Sequence, residues 1–429
     1  MKRITLLFFM MTFFLNLIQA QQKEFLSISL SEARELAVKQ NRALQNASYE
    51  VRKAHAQRWQ TIAAMLPQVD LNMTYNSMCG YKMKIQGMAI PMNPNGTLGL
   101  QTSVAINGQM VVATLLNNIA IDMQEINRDN AELDLVVDVE TMYLTILAME
   151  KTNNLLDTCV LNLRHLHKLT SSAVNVGAAE QTDADQIEVQ VAQMENTLSN
   201  QRRALEVAYN SLAFSIGADS HSQLVLTDKL ENVLNVDEAV KLLERDFNVE
   251  DNNSYRLAEK NLELAKKNEL LNWMAYVPTL SAYHQYSAKN YFGKDEGMNM
   301  TPPNTIGITL AVPIWSSGKR AAGVTEKKIA RMEAENDLAD AKNQLEISYN
   351  QVKHNLVSAY ENFETQKNSV EVMKRVMLST TNKYQYGTVS SFDLTNASTN
   401  LLNAHTNYMQ AILTLLNTQK AFKQLLELR

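Results

Sequence analysis

Proline and glycine are confined to two short windows, and that confinement limits the fold more than any other feature of the chain. All seven prolines and ten of the thirteen glycines lie within residues 67–108 and 278–323. Between Gly108 and Gly177, and again between Gly323 and Gly387, neither occurs, and Ala, Leu, Glu, Gln, Lys and Met dominate. Residues of that kind lose little on entering a helix, so each stretch predicts a continuous helix of about 60 residues, roughly 90 Å long. Ordinary globular domains rarely contain such elements.

The two windows and their flanks repeat. Ala64-Met65-Leu66-Pro67 stands 211 residues before Ala275-Tyr276-Val277-Pro278, Leu98-Gly99-Leu100 stands 208 before Ile306-Gly307-Ile308, and Val176-Gly177 stands 210 before Tyr386-Gly387. Beyond the last anchor Asp183 aligns with Asp393, and a 4-3 stripe follows in both copies. The first stripe is Ile187, Val191, Met194, Leu198, Gln201, Leu205, Ala208, Leu212; the second is Ala397, Leu401, Ala404, Tyr408, Ala411, Leu415, Thr418, Phe422. A mean spacing of 3.5 residues is that of coiled-coil packing. One stripe would fit any helical bundle; two in register predict two equivalent helical hairpins, turning at Gly177 and Gly387.

Inside the windows the period switches to two. Val69, Leu71, Met73 and Tyr75 alternate with Asp70, Asn72, Thr74 and Asn76, and Ile306, Ile308, Leu310 and Val312 alternate with Thr305, Gly307, Thr309 and Ala311. Leu100 to Ile106 and Thr279 to Ser287 give two weaker strands. About ten alternating residues suit a tilted strand crossing a bilayer, apolar side to lipid and polar side to a lumen, with loops Cys79–Leu98 and Ala288–Asn304 outside. A soluble sheet on a core is the commoner use of this pattern, but a sheet at the end of helices about 90 Å long has little core to cover it. Four strands cannot close a barrel, and open edges are not tolerated in lipid. Three chains give twelve strands and two give eight; only twelve leave an appreciable lumen, which predicts a homotrimer.

At the N-terminus, Lys2 and Arg3 precede an apolar run from Ile4 to Ile18, and Ala20 stands where a signal peptidase cuts, predicting an exported chain beginning at Gln21, without a cysteine for a lipid anchor. After it, no apolar run reaches the roughly 20 residues of a spanning helix. The formal charge of −5 becomes −7 without Lys2 and Arg3, the wrong sign for a nucleic-acid partner. Cys79 and Cys159 fall in different kinds of structure, so no disulfide framework is expected.

Several segments resemble the outer-membrane efflux proteins typified by TolC, from about Ser29 to Leu428. They are Leu30-Ser31-Glu32-Ala33-Arg34-Glu35-Leu36-Ala37, Ala64-x-Leu66-Pro67, Val312-Pro313-Ile314-Trp315 with Gly318-Lys319-Arg320, and Tyr386-Gly387-x-Val389-Ser390-x-x-Asp393. The resemblance implies an α + β membrane protein in which a duplicated strand–helix unit gives a trimeric twelve-stranded outer-membrane β-barrel, four strands per chain, continuous with a long periplasmic α-helical barrel. It implies an exit duct of a tripartite efflux or type I secretion system, passively conducting substrates from an inner-membrane pump (RND or ABC type) and a periplasmic adaptor to the exterior. At the periplasmic aperture Tyr384 matches the tyrosine linking to the neighbouring coil, Asp183 the first-repeat aspartate at its far end, and Asp393 the upper member of an acidic ring. Val389 stands where typical members have a latch arginine, and Asn396 where they have a second aspartate. Asp393 reads equally as a helix N-cap. Gly177, Ala178, Gly387 and Thr388 would form the adaptor-docking turns.

The expected organisation is a signal peptide at 1–20, a first repeat at 21–217, an equatorial connection at 218–250 and a second repeat at 251–429. The first repeat comprises helix 29–66, strands 68–78 and 99–107, long helix 110–172 and heptad helix 182–216. The second comprises helix 252–275, strands 279–288 and 305–313, long helix 319–384 and heptad helix 391–427. His165 and His167 are two apart on a helix and diverge, which is poor geometry for one metal. With no nucleophile elbow, phosphate loop or zinc-protease motif, the chain is expected to be no enzyme, to hold no metal and to need no cofactor. The alternative is a periplasmic adaptor or a coiled-coil scaffold without a pore. An adaptor has one hairpin per chain, and here the hairpin occurs twice with lipid-type strands between.

Overall fold

The computed structural model describes residues 25–85, 88–177, 179–218, 223–233, 237–292 and 302–428. The expected signal peptide, residues 1–20, and Ala178 lie outside these. In chain order the elements are β1 (Phe25–Ile28), α1 (Leu30–Gln40), α2 (Arg42–Ala63), β2 (Gln68–Asn76), β3 (Lys82–Ile85), β4 (Met88–Pro91), β5 (Asn95–Ile106), α3 (Gly108–Asn175), α4 (Gln181–Ser215), β6 (Gln223–Leu226), α5 (Leu230–Val233), α6 (Asp237–Leu243), α7 (Asn253–Trp273), β7 (Thr279–Tyr291), β8 (Asn304–Ala311), α8 (Lys319–Gln385) and α9 (Ser391–Leu425). The Gly- and Pro-free stretches are thus single helices of 68 and 67 residues. The chain divides into two compact units, residues 1–46, 129–252 and 344–429, and residues 47–128 and 253–343.

The second unit carries the sheet, in strand order β2-β5-β7-β8 and antiparallel throughout. Its register sorts the two periodicities onto opposite faces. Leu71 lies opposite Leu100 and Leu100 opposite Tyr286; Ile106 lies opposite Leu280 and Leu280 opposite Leu310. On the other face Asp70, Gln101, Gln285 and Thr305 form one row. A one-residue slip would exchange the faces, so the alternation itself sets the pairing. Both edge strands stay exposed: Met73 is 81% accessible and Ile306 77%. Beneath the sheet, Lys260 pairs with Asp122 at 2.8 Å, and Arg331 with Glu269 at 3.1 Å.

The first unit buries the main core. Val139, Tyr143, Ile146 and Leu147 of α3 meet Leu212 of α4 and Ile216 just after it, Leu356 and Phe363 of α8, and Ile412, Leu415 and Phe422 of α9. A two-stranded parallel sheet joins them, with β1 paired to β6. The Tyr143 hydroxyl donates to Asp228 Oδ2 at 2.9 Å and lies 3.0 Å from Ile28 O, and Asp228 Oδ2 also accepts from Leu30 N at 2.8 Å. That group of bonds fastens strand, loop and helix together, and burial with the Asp228 carboxylate pushes the Tyr143 pKa up to about 12.

Several expectations need correction. The single helix over 29–66 is two helices broken at Asn41, because the side-chain Oδ1 of Asn41 accepts from Ala43 N at 2.9 Å and Leu44 N at 3.1 Å and so starts a new helix. The outer loop Cys79–Leu98 contains the hairpin β3–β4 and the first residues of β5. Strand β7 runs on to Tyr291, and β8 stops at Ala311, before Pro313. Within the stretch 218–250, β6 pairs in parallel with β1, and Ala239 on α6 is as fully buried as Ala33 on α1.

Candidate functional site: the two helical turns

Both hairpin turns depend on a backbone that only glycine adopts cheaply. Gly177 has φ +76° and Gly387 φ +68°, each just after a helix end where the last carbonyls lack intrahelical partners. At Gly387 the turn is a Schellman motif: Gly387 N donates to Tyr384 O at 2.9 Å and Thr388 N to Lys383 O at 3.0 Å, with Thr388 Oγ1 donating to the same carbonyl at 2.9 Å. Gly177 N donates to Val174 O at 2.9 Å.

The next helix starts differently in the two copies. In the second, Ser390 is the N-cap, its Oγ accepting from Asp393 N at 3.2 Å while Asp393 Oδ2 accepts from Ser390 N at 2.9 Å. This reciprocal capping box corrects the expectation that Asp393 is itself the cap; it is the third helical residue. Donation from the Ser390 backbone, and then from its hydroxyl, holds the Asp393 carboxyl below the usual range, keeping it ionised and exposed. In the first copy Glu180 occupies the N-cap without a side-chain capping bond, its carboxylate accepting instead from the Thr182 hydroxyl at 3.2 Å, and Asp183 is half-buried at the matching position.

Tyr384 packs half-buried against the cluster of Leu166, Ile187 and Leu394. No hydrogen bond joins it to Asp183 among the described residues. It also lines a groove of about 540 Å³ with His165, Leu169, Met377, Thr381 and Ser398. Val389 is half-buried and Asn396 exposed. The structure therefore places Tyr384 at the end of α8, Val389 in the turn after it and Asp393 and Asn396 on α9, with Gly177 in the other turn and Asp183 in the first turn of α4. Apolar side chains stand out at both: Val176 is exposed after α3, Tyr386 and Phe392 beside Gly387.

Sequence reasoning missed the ties within the first hairpin. Arg202 grips both oxygens of Asp157 at 2.7 and 2.8 Å, and Arg164 Nε donates to Glu195 Oε1 at 2.7 Å. Opposite charges on two antiparallel helices become partners only once their register is known. The capping box was legible, since Ser390-x-x-Asp393 has the required spacing. Among the described residues no His, Cys, Asp or Glu cluster could hold a metal ion.

No curated protein matches the chain in sequence. Solved structures match its fold. CusC aligns with a TM-score of 0.76 at 14% identity, over 92% of this chain and 91% of that one. The Campylobacter jejuni CmeC outer membrane channel aligns at 0.73 and 16%, over 92% and 85%, and the Neisseria gonorrhoeae MtrE outer membrane channel in its open state at 0.72 and 16%, over 93% and 89%. The outer membrane efflux protein family matches residues 33–218 and 250–427, well over half of the chain and one segment for each copy of the repeat, and the chain belongs to that family.

Proposed function

We propose that the chain is one protomer of a homotrimeric outer-membrane exit duct, conducting substrates passively from an inner-membrane pump and a periplasmic adaptor to the exterior. The observation that carries this is the sheet: one face apolar, the other polar, and both edge strands uncovered. Water would not tolerate the apolar face, and lipid would not tolerate the open edges. Three sheets closed edge to edge as twelve strands, with lipid outside and water inside, satisfy both. Aromatic side chains at the two ends of the strands, Trp273, Tyr276 and Trp315 at one and Tyr75, Tyr81 and Phe292 at the other, suit the two interfaces of a bilayer.

At the aperture, three Asp393 carboxylates would face the axis and favour cations; capping and ring formation are compatible because the cap keeps the group charged. Tyr384, Asp183, Val389 and Asn396 would shape the contact between hairpins there, without a salt-bridge latch. The exposed turns at Gly177 and Gly387, with Ala178 and Thr388, would receive the adaptor. Mass determination of the detergent-solubilised protein combined with planar-bilayer conductance tests the duct, which predicts a trimer and a pore. A monomer, or a trimer without conductance, overturns it. Unchanged cation selectivity in Asp393→Asn would remove the ring, and absence of adaptor crosslinks from cysteines at both 178 and 388 would remove the docking assignment.

A further inference from the structure

The four strands of the sheet contain only two Asp, Glu, Lys or Arg residues, Asp70 on β2 and Lys289 on β7. Both belong to the polar face. Asp70 pairs with Gln101 and Gln101 with Gln285, and Lys289 follows Gln285 by four residues on the same strand, hence on the same side. The remainder of that face is amide, hydroxyl and small: Asn72, Thr74, Ser103, Ser281, Ser287 and Thr309 are examples. The two charges occupy different levels. Asp70 is the third residue of β2, just after the helix α2 and Pro67; Lys289 shares a row with Thr97 and Thr74, four residues further along, or about 13 Å at the usual rise per residue. The Lys289 ammonium lies 5.0 Å from the ring centre of Tyr291 on the same face, which holds it at that level.

We propose that the lumen of the barrel carries a built-in dipole: a ring of Asp70 carboxylates at the helix end and a ring of Lys289 ammoniums at the outer end, separated by an otherwise uncharged wall. This rests on the lumen reading above. Two opposed rings spaced by more than a Debye length at physiological salt, about 8 Å, act as separate filters rather than cancelling. Cations are concentrated where a substrate enters the barrel and anions where it leaves. A solute carrying one sign of charge over its whole length meets one favourable and one unfavourable ring, whereas neutral and zwitterionic solutes pass both without a net barrier. The barrel is thereby specified for cargo of low net charge.

Local potential at each ring is measurable by thiol chemistry in native membranes. In a Cys79→Ser, Cys159→Ala background, single cysteines at Gln101 and Thr97, directly opposite Asp70 and Lys289, are treated from outside with impermeant cationic and anionic methanethiosulfonates. The cationic reagent is expected to be favoured at Gln101→Cys and the anionic one at Thr97→Cys, the two rate ratios differing by about fivefold or more. Adding Asp70→Asn should remove the first preference and Lys289→Gln the second. Reaction at both thiols with equal ratios, or ratios unmoved by the charge removals, overturns the dipole while leaving the duct intact. Thiols that react only after denaturation overturn the lumen reading and the dipole with it.

Discussion

In the first copy of the hairpin, α4 buries one stripe, with Ile187, Met194, Leu198 and Leu212 covered, and leaves Val189, Val207 and Phe214 in solvent. In the second, α9 buries its stripe of Ala397, Ala404, Ala411, Leu415 and Phe422 and a second side as well, with Leu394, Met409, Ile412, Leu416, Gln419 and Lys423. The alanines explain the closer packing, since small side chains let neighbouring helices approach. The buried Lys423 is answered by Glu140 at 2.9 Å, a carboxylate that also meets Arg34 at 2.5 Å, and Lys420 reaches Asp138 at 2.6 Å. One duplicated unit has therefore diverged into a more enclosed returning helix and a more exposed one.

The helix ends show the same ancestry under different chemistry. Asn41 Nδ2 donates to Ser215 O at 2.8 Å, and 211 residues later Asn252 Nδ2 donates to Leu425 O at 3.0 Å. The returning helix ends in a Schellman turn in both: Ala218 N donates to Ala213 O at 2.9 Å in one, Leu428 N to Lys423 O at 2.9 Å in the other. The residue in the left-handed position is Gly217, φ +72°, in the first and Glu427, φ +55°, in the second.

Substitutions at these paired positions test how far the copies remain equivalent, read as the midpoint of helix loss in detergent. The largest effect is expected from Gly217→Ala, whose Cβ would stand 2.7 Å from Gln40 O on a positive-φ backbone; about 3 kcal/mol should be lost. Alkaline titration comes next. Tyr143, whose folded pKa of about 12 exceeds the ordinary value near 10, contributes stability fully present below pH 10 and lost as pH rises through 12. The Tyr143 part of the loss should reach about 2 kcal/mol and be removed by Tyr143→Phe, leaving the parts due to Tyr209 and Tyr408, whose pKa values burial also raises; Lys353 stands 210 residues after Tyr143, so this part has no counterpart in the second copy. Asn41→Ala should cost about 2 kcal/mol, because its side chain both starts α2 and holds the Ser215 carbonyl, and Asn252→Ala at least about 1 kcal/mol for the bond to Leu425 O. At the turns, Ser390→Ala should cost about 1 kcal/mol while Glu180→Ser gains less than that, by installing the missing cap. The smallest effect is a gain, about 0.5–1 kcal/mol for Glu427→Gly.

Long helices, duplication, strands and their two faces were all legible, because Gly, Pro and hydrophobic period are local signals that a chain carries whatever it packs against. The turns at Gly177 and Gly387 were legible for the same reason. The break at Asn41 was not: Asn occurs inside helices as well as at their starts, and the partner of its side-chain N–H, the carbonyl of Ser215, lies 174 residues away. The parallel pairing of β1 with β6 was equally hidden, each strand being four residues long and too short to show a period. At the candidate site, Tyr384 and Asp393 could be named from the motif, but their surroundings could not.

The amino-acid sequence by itself determined which segments are helix and strand, that the pattern occurs twice, and which side of each strand is apolar, since these follow from conformational preference and spacing along the chain. Only the tertiary structure decided which of the two returning helices is enclosed, which charged residues pair across the hairpin, and that Asp70 and Lys289 share a face at different levels. Those are properties of register between segments distant in sequence, set by the sum of many contacts and carried by no local stretch.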